Sequence, residues 1–516
     1  MYTGTHVNRH PEKPAFIMAS SGEAVTYAEL EARSNRLAHL LRHLGLARLD
    51  HYAVFMENNS RYIEACAAGE RSGLYYTPVN TYLTPAEIAY IVNDSESRVL
   101  ITSRAKLSTA LAALEACPNI ELCLVADGQG EGGRVVGLDE AAAAMPESPV
   151  PDESIGAPMF YTSGTTGRPK GVFRRLPRQP PAQPLPVAAF LRGLYRYREG
   201  MVYLSPAPLY HAAPLGAVNL TIRSGGTAII MERFDPERYL ELVQRYRVTH
   251  SQLVPTMFTR MIRLPDAARR RYDLSSLEVA FHAAAPCPVP VKEAMIEWWG
   301  PIIYEYYGAT EGLGFTACTT EEWLARKGTV GKAAFGTLHI LDDAFAPCPP
   351  GTPGTIWFKP PSQFEYFKDP EKTLASRSPD GTLSTVGDIG YADEDGYLYL
   401  TDRASFAIIS GGVTLYPQEC ENLLVTHPKV ADAAVFGVPN ADLGEEVKAV
   451  VQPVPGVAAG ADLAGELLAF LSQSLSRQKL PRSIEFEESL PRLPTGKLYK
   501  HLLRDRYWRK KGNPSE

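Results

Sequence analysis

The first part of the chain alternates between helical and extended spacings of apolar residues. Leucines recur on one helical face from Leu30 onward, and Thr26 with Glu29 forms the capping-box pattern of a helix start just before them. The stretch YAVFM at 52–56 is short, apolar and continuous, as a buried strand is. This order predicts a helix followed by a buried strand.

The alternation continues further along the chain. Thr84, followed by proline, signals another helix start, and Asp235 does the same. The apolar runs at 98–103, 122–126 and about 248–254 are strand candidates. Strands separated by helices of this length pair mostly in parallel, so we predict an α/β fold with helix-flanked, mostly parallel sheets.

Two stretches interrupt this pattern. Residues 176–186 carry five prolines in eleven positions, which predicts a surface loop. After a Gly-Gly turn at 411–412, a run of about a hundred residues has the size of a small domain, with a helix start, two strands and an amphipathic helix at 461–475. We therefore predict an N-terminal domain at 1–403 and a C-terminal α+β domain at 404–516.

Composition narrows the functional classes. The net charge of −6 provides no basic excess for binding nucleic acid. No apolar run is long enough for a membrane span, and the N-terminus lacks the apolar segment of a secretory signal. The seven cysteines are odd in number and never form C-x-x-C, which argues against a disulfide framework or zinc site and indicates the reducing cytoplasm.

The stretch YTSGTTGRPKGV at 161–172 has the composition of an oxyanion-binding loop. Its hydroxyl residues donate hydrogen bonds, its glycines allow close backbone approach, and Lys170 adds a positive charge. The spacing is not that of a Walker A loop, because Pro169 stands where the second glycine would be and Gly171 follows the lysine.

This loop and four later motifs resemble, in order, the signatures of the adenylate-forming superfamily, which includes acyl-CoA synthetases, peptide-synthetase adenylation domains and firefly luciferase. The resemblance covers essentially the whole chain, and acyl-CoA synthetases are the most similar members. The later motifs are YYGATEG (306–312), TVGDIG (385–390), LTDRASFAIISGG (400–412) and LPRLPTGKLYK (490–500).

The resemblance implies a role for each matched residue. Tyr307 is expected to stack on adenine, Asp388 to accept both ribose hydroxyls, and Arg403 to contact ribose and phosphate. Thr310 is expected to touch the α-phosphate and Glu311 to bind Mg²⁺, which prefers oxygen ligands.

Further roles follow from the same resemblance. Lys497 is expected to reach from the C-terminal domain, a mobile lid, to the substrate carboxylate and α-phosphate, and His211 to line the acyl entrance. The HAAAP stretch at 282–286 matches the adenine-side loop, with an alanine where the family usually has glycine. The expected phosphate-binding set is Thr162, Ser163, Gly164, Thr165, Thr166, Gly167 and Lys170.

The implied reaction is ATP-dependent ligation of a carboxylic acid. An acyl-adenylate forms with release of pyrophosphate, and the acyl group then passes to CoA, giving a thioester and AMP. The alternative is transfer to an amine or amino acid, as in coronafacate-ligase-type members. The sequence leaves this choice open because Ser405 stands where the family places a charged hinge residue. The acid is expected to be aromatic, alicyclic or of medium aliphatic length.

Two alternative functions have less support from the sequence. A non-catalytic scaffold on a decayed ligase fold would be expected to lose its charged site residues first, yet Lys170, Glu311, Asp388, Arg403 and Lys497 are all present. A luciferase-like oxygenase is a more remote alternative. No obligate protein partner is predicted.

Overall fold

The computed structural model describes residues 1–162, 168–183, 185–360, 363–492 and 498–509. The chain divides into two compact units. The first comprises Met1–Gln252, Pro265–Ala280 and Gln363–Thr373, and the second comprises Leu253–Leu264, Phe281–Ser362 and Leu374–Glu516. The predicted boundary between residues 403 and 404 falls inside the second unit and stays a prediction.

Helices occur throughout the described ranges. In chain order they are α1 (Tyr27–His43), α2 (Tyr62–Ser72), α3 (Pro85–Asp94), α4 (Leu107–Leu114), α5 (Leu138–Ala142), α6 (Pro186–Leu194), α7 (Ala212–Arg223), α8 (Pro236–Tyr246), α9 (Pro255–Ile262), α10 (Asp266–Arg269), α11 (Val289–Trp299), α12 (Thr320–Ala325), α13 (Pro370–Ala375), α14 (Gln418–Leu424), α15 (Ala461–Ser472) and α16 (Lys500–Arg509). Short 3-10 helices cover Arg104–Lys106 and Ala404–Phe406.

Strands alternate with these helices over much of the chain. Up to residue 282 they are β1 (Pro14–Met18), β2 (Ala24–Thr26), β3 (His51–Phe55), β4 (Tyr75–Pro78), β5 (Ser97–Thr102), β6 (Leu122–Val125), β7 (Val135–Gly137), β8 (Ala157–Pro158), β9 (Tyr161–Thr162), β10 (Lys170–Phe173), β11 (Val202–Ser205), β12 (Thr227–Ile230), β13 (His250–Leu253) and β14 (Val279–His282). Beyond it they are β15 (Ile303–Gly308), β16 (Phe315–Cys318), β17 (Lys332–Phe335), β18 (Thr337–Leu341), β19 (Gly354–Lys359), β20 (Glu365–Tyr366), β21 (Asp388–Ala392), β22 (Leu398–Arg403), β23 (Ile408–Ser410), β24 (Val413–Leu415), β25 (Val430–Asn440), β26 (Gly444–Pro453) and β27 (Ser483–Phe486).

The predicted helix starts are confirmed by their capping contacts. Thr26 and Thr84 each form a complete capping box with the glutamate three residues later. Asp235 accepts a hydrogen bond from the Arg238 amide at 2.8 Å and begins α8. These contacts satisfy amides that have no partner inside the helix.

The first unit contains the predicted parallel sheets. One has six strands, all parallel, in the order β7-β6-β5-β3-β4-β8. In another, β11 pairs in parallel with β12 and β13, and β1 pairs in parallel with β12. The inner strands β3 and β5 of the six-stranded sheet are almost entirely buried, as expected when helices cover both faces. The α/β prediction is confirmed.

The second unit is built mainly from antiparallel pairs. One sheet has the order β18-β19-β21-β22, and another has β24-β23-β26-β25 with β27 parallel to β26. The predicted small-domain elements at the C-terminal end are present as α14, β25, β26 and α15. The predicted helix at 461–475 ends at Ser472, and beyond it the Leu471 carbonyl accepts from the Ser474 amide at 3.1 Å and from the Leu475 amide at 2.9 Å.

The proline-rich segment is irregular, as predicted, over its described residues before Pro186, which begins α6 at the first helical position. Among the helices that the structure describes, none has both the length and the apolar character that a membrane crossing requires.

Candidate active site

Three predicted nucleotide-binding residues meet in the second unit. The Tyr307 hydroxyl donates to Asp388 Oδ2 at 2.7 Å, and Arg403 Nε lies 3.0 Å from Asp388 Oδ1. Asp388 is buried, with 8% of its surface exposed. Burial and the neighbouring Asp388 carboxylate hold the pKa of Tyr307 well above its usual range, so its hydroxyl stays protonated and donates.

Strand register explains why Asp388 and Arg403 meet. They are paired residues at one end of the antiparallel β21 and β22 strands. Gly387, immediately before Asp388, has a φ of 80° that favours glycine. Among the described residues, Asp388 Oδ2 accepts from Tyr307 and Oδ1 pairs with Arg403. A carboxylate has about four acceptor positions, so this arrangement leaves room for further donors.

Thr310 and Glu311 lie just after the end of β15, the strand that carries Tyr307. Glu311 is buried, with 7% exposure, and Gly312 after it has a φ of 64°. Within the described ranges, no three histidine, cysteine, aspartate or glutamate side chains converge on a possible metal position. A single carboxylate still fits Mg²⁺, which usually takes one or two protein carboxylates and completes its shell with phosphates and water.

The HAAAP loop contains a strained residue. Ala284 has a φ of 74°, in the left-handed region that an alanine rarely adopts. This is the loop in which the resemblance implies a glycine where the sequence has an alanine. Beside it, Lys292 on α11 and Glu305 on β15 form a buried ion pair at 2.5 Å, and His282 Nε2 of the loop lies 3.5 Å from the same Glu305 oxygen. Lys292 Nζ also lies 4.6 Å from the centroid of the Trp323 ring.

The two ends of the predicted phosphate loop pair with each other in the first unit. Thr162 on β9 and Lys170 on β10 are antiparallel partners, so the chain returns to its starting point across the loop. The Tyr161 hydroxyl donates to Asp94 at 2.6 Å, and the Tyr90 hydroxyl donates to the Pro169 carbonyl at 3.2 Å. These contacts tie both ends of the loop to α3.

Lys170 has a partner that sequence reasoning missed. Its Nζ lies 2.6 Å from Asp369 Oδ2, and the hydrogen bond between them raises the pKa of Lys170 and lowers that of Asp369. Asp369 Oδ1 also accepts from the Lys372 amide at 2.9 Å. The Asp-Pro pair at 369–370 is a helix-start signal that was available in the sequence, whereas nothing there linked it to Lys170.

His211 occupies the N-cap position of α7, and its ring centroid lies 4.5 Å from that of Tyr210. The structure therefore brings together Tyr307, Asp388 and Arg403, and separately Thr162 and Lys170. The remaining predicted residues Ser163, Gly164, Thr165, Thr166, Gly167 and Lys497 lie outside the described residues.

Comparisons with known proteins identify families and relatives that match this chain over most of its length. A family model described as "AMP-binding enzyme" matches residues 4–366, and one described as "AMP-binding enzyme C-terminal domain" matches residues 419–497. Feruloyl-CoA synthase from an Amycolatopsis species is 35% identical over 501 residues, covering 94% of each chain.

Solved structures agree with this match. ATP-bound MatB from Rhodopseudomonas palustris has a TM-score of 0.81 at 29% identity, covering 96% of both chains. The amide bond synthetase McbA from Marinactinospora thermotolerans has a TM-score of 0.80 at 28% identity, covering 95% of this chain and 96% of its own. The similarity extends over nearly the full length of each protein.

Proposed function

The chain belongs to the AMP-binding enzyme family, and from that membership we propose how it activates a carboxylic acid and which residues carry the chemistry. It is a ligase that uses ATP and works through an acyl-adenylate. A carboxylate oxygen attacks the α-phosphorus, and the bond from that phosphorus to the bridging oxygen breaks, releasing pyrophosphate. The acceptor then attacks the acyl carbon, and AMP leaves.

The observation that carries the residue assignments is the convergence of Tyr307, Asp388 and Arg403. We assign Asp388 to the ribose hydroxyls and Arg403 to ribose and phosphate. Among the described residues, their contacts leave further acceptor positions on the carboxylate and further N–H donors on the guanidinium. Tyr307 supplies a ring for adenine while its hydroxyl orients Asp388. Preorganised charges of this kind lower a barrier because they need no rearrangement during the reaction.

Charge on the phosphates must also be offset. We assign this role to Lys170, the 163–167 loop and Lys497. Glu311 would hold Mg²⁺, for which the ATP phosphates would supply further oxygen ligands, and Thr310 would contact the α-phosphate. Mg²⁺ would neutralise charge as the carboxylate approaches the α-phosphate.

We propose CoA as the acceptor. This is supported by similarity to feruloyl-CoA synthase across 94% of the chain. Similarity to the amide bond synthetase McbA supports an amine as the alternative. Ser405 bears on this choice because it brings no charge to the position where the resemblance implies a charged hinge residue. Its buried hydroxyl has no hydrogen-bond partner among the described residues. The role of Ser405 as a hinge stays a prediction.

An aromatic acid is the first candidate substrate. The Tyr306 ring stacks on the Phe315 ring with centroids 4.7 Å apart, and the Phe281 and Tyr306 ring centroids are 6.3 Å apart. An aromatic cluster therefore flanks the strand that carries Tyr307.

His211 stays assigned to the acyl entrance. The cytoplasm stays the predicted compartment, supported by seven cysteines that are all free thiols.

The test is a panel of aromatic, alicyclic and medium aliphatic acids with ATP and equimolar CoA and amino acid, analysed by mass spectrometry. We expect a thioester and AMP, with an aromatic acid reacting best. An amide as the main product with CoA present would replace CoA by an amine, and no acid-dependent AMP release from any member would contradict the proposed substrate class.

A further inference from the structure

Lys170 lies beside the carboxylate of Asp369 in the first unit. Its Nζ is 2.6 Å from Asp369 Oδ2, and the two side chains are 32% and 20% exposed. Their hydrogen bond raises the pKa of Lys170 and lowers that of Asp369, so both groups are charged at neutral pH. The lysine proposed above to offset phosphate charge therefore already holds an anion that belongs to this chain.

Backbone contacts keep these two residues next to each other. Strands β10 and β20 are antiparallel neighbours, and the Phe367 amide donates to the Gly171 carbonyl at 2.8 Å. Lys170 is the first residue of β10, and Asp369 lies shortly after the end of β20. The pairing of the two strands therefore places the carboxylate within reach of the lysine.

The Asp369 carboxylate has little freedom to turn away from the lysine. Its Oδ1 accepts from the Lys372 amide at 2.9 Å, near the start of α13. The Asp369 amide donates to the Tyr366 carbonyl at 3.0 Å, and the Asp369 carbonyl accepts from the Thr373 amide at 3.0 Å. A carboxylate fixed in this way stays near the lysine when another anion approaches.

A phosphate group that reaches Lys170 must compete with this carboxylate. If the ion pair opens, its charge-assisted hydrogen bond is lost. If the pair stays closed, the phosphate oxygens lie close to a second negative charge and are repelled. Both routes weaken the binding of phosphate. The same competition favours release, because Asp369 takes up the ammonium again as pyrophosphate leaves.

We propose that Asp369 is an internal counterion that competes with ATP and pyrophosphate for Lys170, so that the site binds both ligands more weakly and releases pyrophosphate more readily. Asp369 is a positioning residue, because it acts through Lys170 and does not touch the substrate. This inference rests on the phosphate-binding role proposed above for Lys170.

Four variants separate the charge of Asp369 from its structural contact. Asp369→Asn removes the charge and keeps an oxygen for the Lys372 amide, since asparagine caps helices about as well as aspartate. Asp235→Asn is the matched control, because Asp235 also precedes a proline at a helix start and its Oδ1 accepts the Arg238 amide at 2.8 Å. Lys170→Met, alone and combined with Asp369→Asn, shows whether the effect requires the ammonium.

The dissociation constants of magnesium-ATP and magnesium pyrophosphate are measured by titration calorimetry without acid, at low and high salt, with thermal unfolding beside them. Exposed ion pairs contribute modestly, so we expect Asp369→Asn to bind both ligands about 2- to 5-fold more tightly than wild type. The gain is expected to shrink at high salt, which screens exposed charges.

The other variants are expected to leave this gain out. Asp235→Asn is expected to match wild type, with the Tm of both asparagine variants within a few degrees of it. Lys170→Met is expected to bind both ligands more weakly than wild type. Adding Asp369→Asn to Lys170→Met is expected to change neither dissociation constant by more than about 1.5-fold, because the two residues act through one contact.

Unchanged or weaker binding in folded Asp369→Asn would overturn the counterion, and so would a gain of the same size in Asp235→Asn or in the Lys170→Met background. If Asp369→Asn does not fold, Asp369→Ser, which also keeps a capping oxygen, decides by the same constants. Wild-type affinity in Lys170→Met would instead overturn the role of Lys170, whereas weaker binding there beside unchanged binding in Asp369→Asn would overturn only the counterion.

Discussion

Replacing Asp388 with asparagine is expected to weaken ATP binding while leaving the fold intact. The carboxylate accepts from Tyr307 at 2.7 Å and pairs with Arg403 at 3.0 Å. Asparagine keeps one acceptor oxygen but loses the charge and turns an amide donor toward one of these two donors. Charge-assisted hydrogen bonds contribute about 1.5–3 kcal/mol, so we expect ATP binding to weaken by about 1–3 kcal/mol.

That loss corresponds to an increase of about 5- to 150-fold in KM for ATP where KM tracks the dissociation constant. Arg403 is about one-third exposed, so breaking its ion pair costs little stability. The assay is pyrophosphate exchange at varied ATP, with thermal unfolding beside it. Asp393→Asn, in the turn between the same two strands, is the matched control.

An unchanged KM for ATP in Asp388→Asn, at wild-type Tm, would refute the ribose assignment. A loss of the same size in Asp393→Asn would show that the effect spreads through the hairpin and does not arise at the carboxylate. Tyr307→Phe separates the two functions of tyrosine, because it keeps the ring and removes the donor to Asp388. It is expected to raise KM for ATP less than Asp388→Asn does.

Three further predictions concern stability, each measured by denaturant unfolding. Ala284→Gly is expected to raise the unfolding free energy by up to about 1 kcal/mol by relieving the left-handed φ of 74°, whereas the neighbouring Ala283→Gly is expected to lower it; a loss in both would contradict this account. Lys292→Met is expected to cost about 3–5 kcal/mol, because it leaves Glu305 buried without its lysine and with the neutral His282 ring 3.5 Å away; Glu305→Leu added to it is expected to restore most of that loss, and an additive double variant would contradict the pairing. Burial raises the pKa of Glu64 to about 6 from 4.5, so the folded state binds more protons between these values and stability is expected to fall as pH rises. The expected loss is about 2 kcal/mol in all, of which about 1.3 kcal/mol falls between pH 4.5 and 6. Glu64→Gln should remove that contribution, and an unchanged pH profile would contradict it.

The sequence predicted helix starts well, because the side chains that cap a helix lie next to it in the chain. Thr26, Thr84 and Asp235 cap helices through side chains within three residues, so the sequence alone contains the whole interaction. The end of α15 was less predictable, because apolar periodicity continues to Leu475 while the last turn tightens at Ser472. Element ends depend on a few weak backbone contacts.

The site was predictable only by resemblance to a family. The meeting of Asp388 with Arg403 depends on strand register, and that of Tyr307 with Asp388 joins residues 81 positions apart. Asp369 was missed because its pairing with Lys170 spans about 200 residues with no local pattern to signal it. Long-range contacts of this kind are set by the assembled sheets.

The fate of the acid's oxygen atoms tests adenylate formation most directly. An accepted acid labelled with ¹⁸O in both carboxylate positions is turned over with ATP and acceptor, and the nucleotide products are analysed by mass spectrometry. Attack of the carboxylate on the α-phosphorus predicts AMP carrying one ¹⁸O and pyrophosphate carrying none. ADP with ¹⁸O in inorganic phosphate, or AMP without label, would contradict the account.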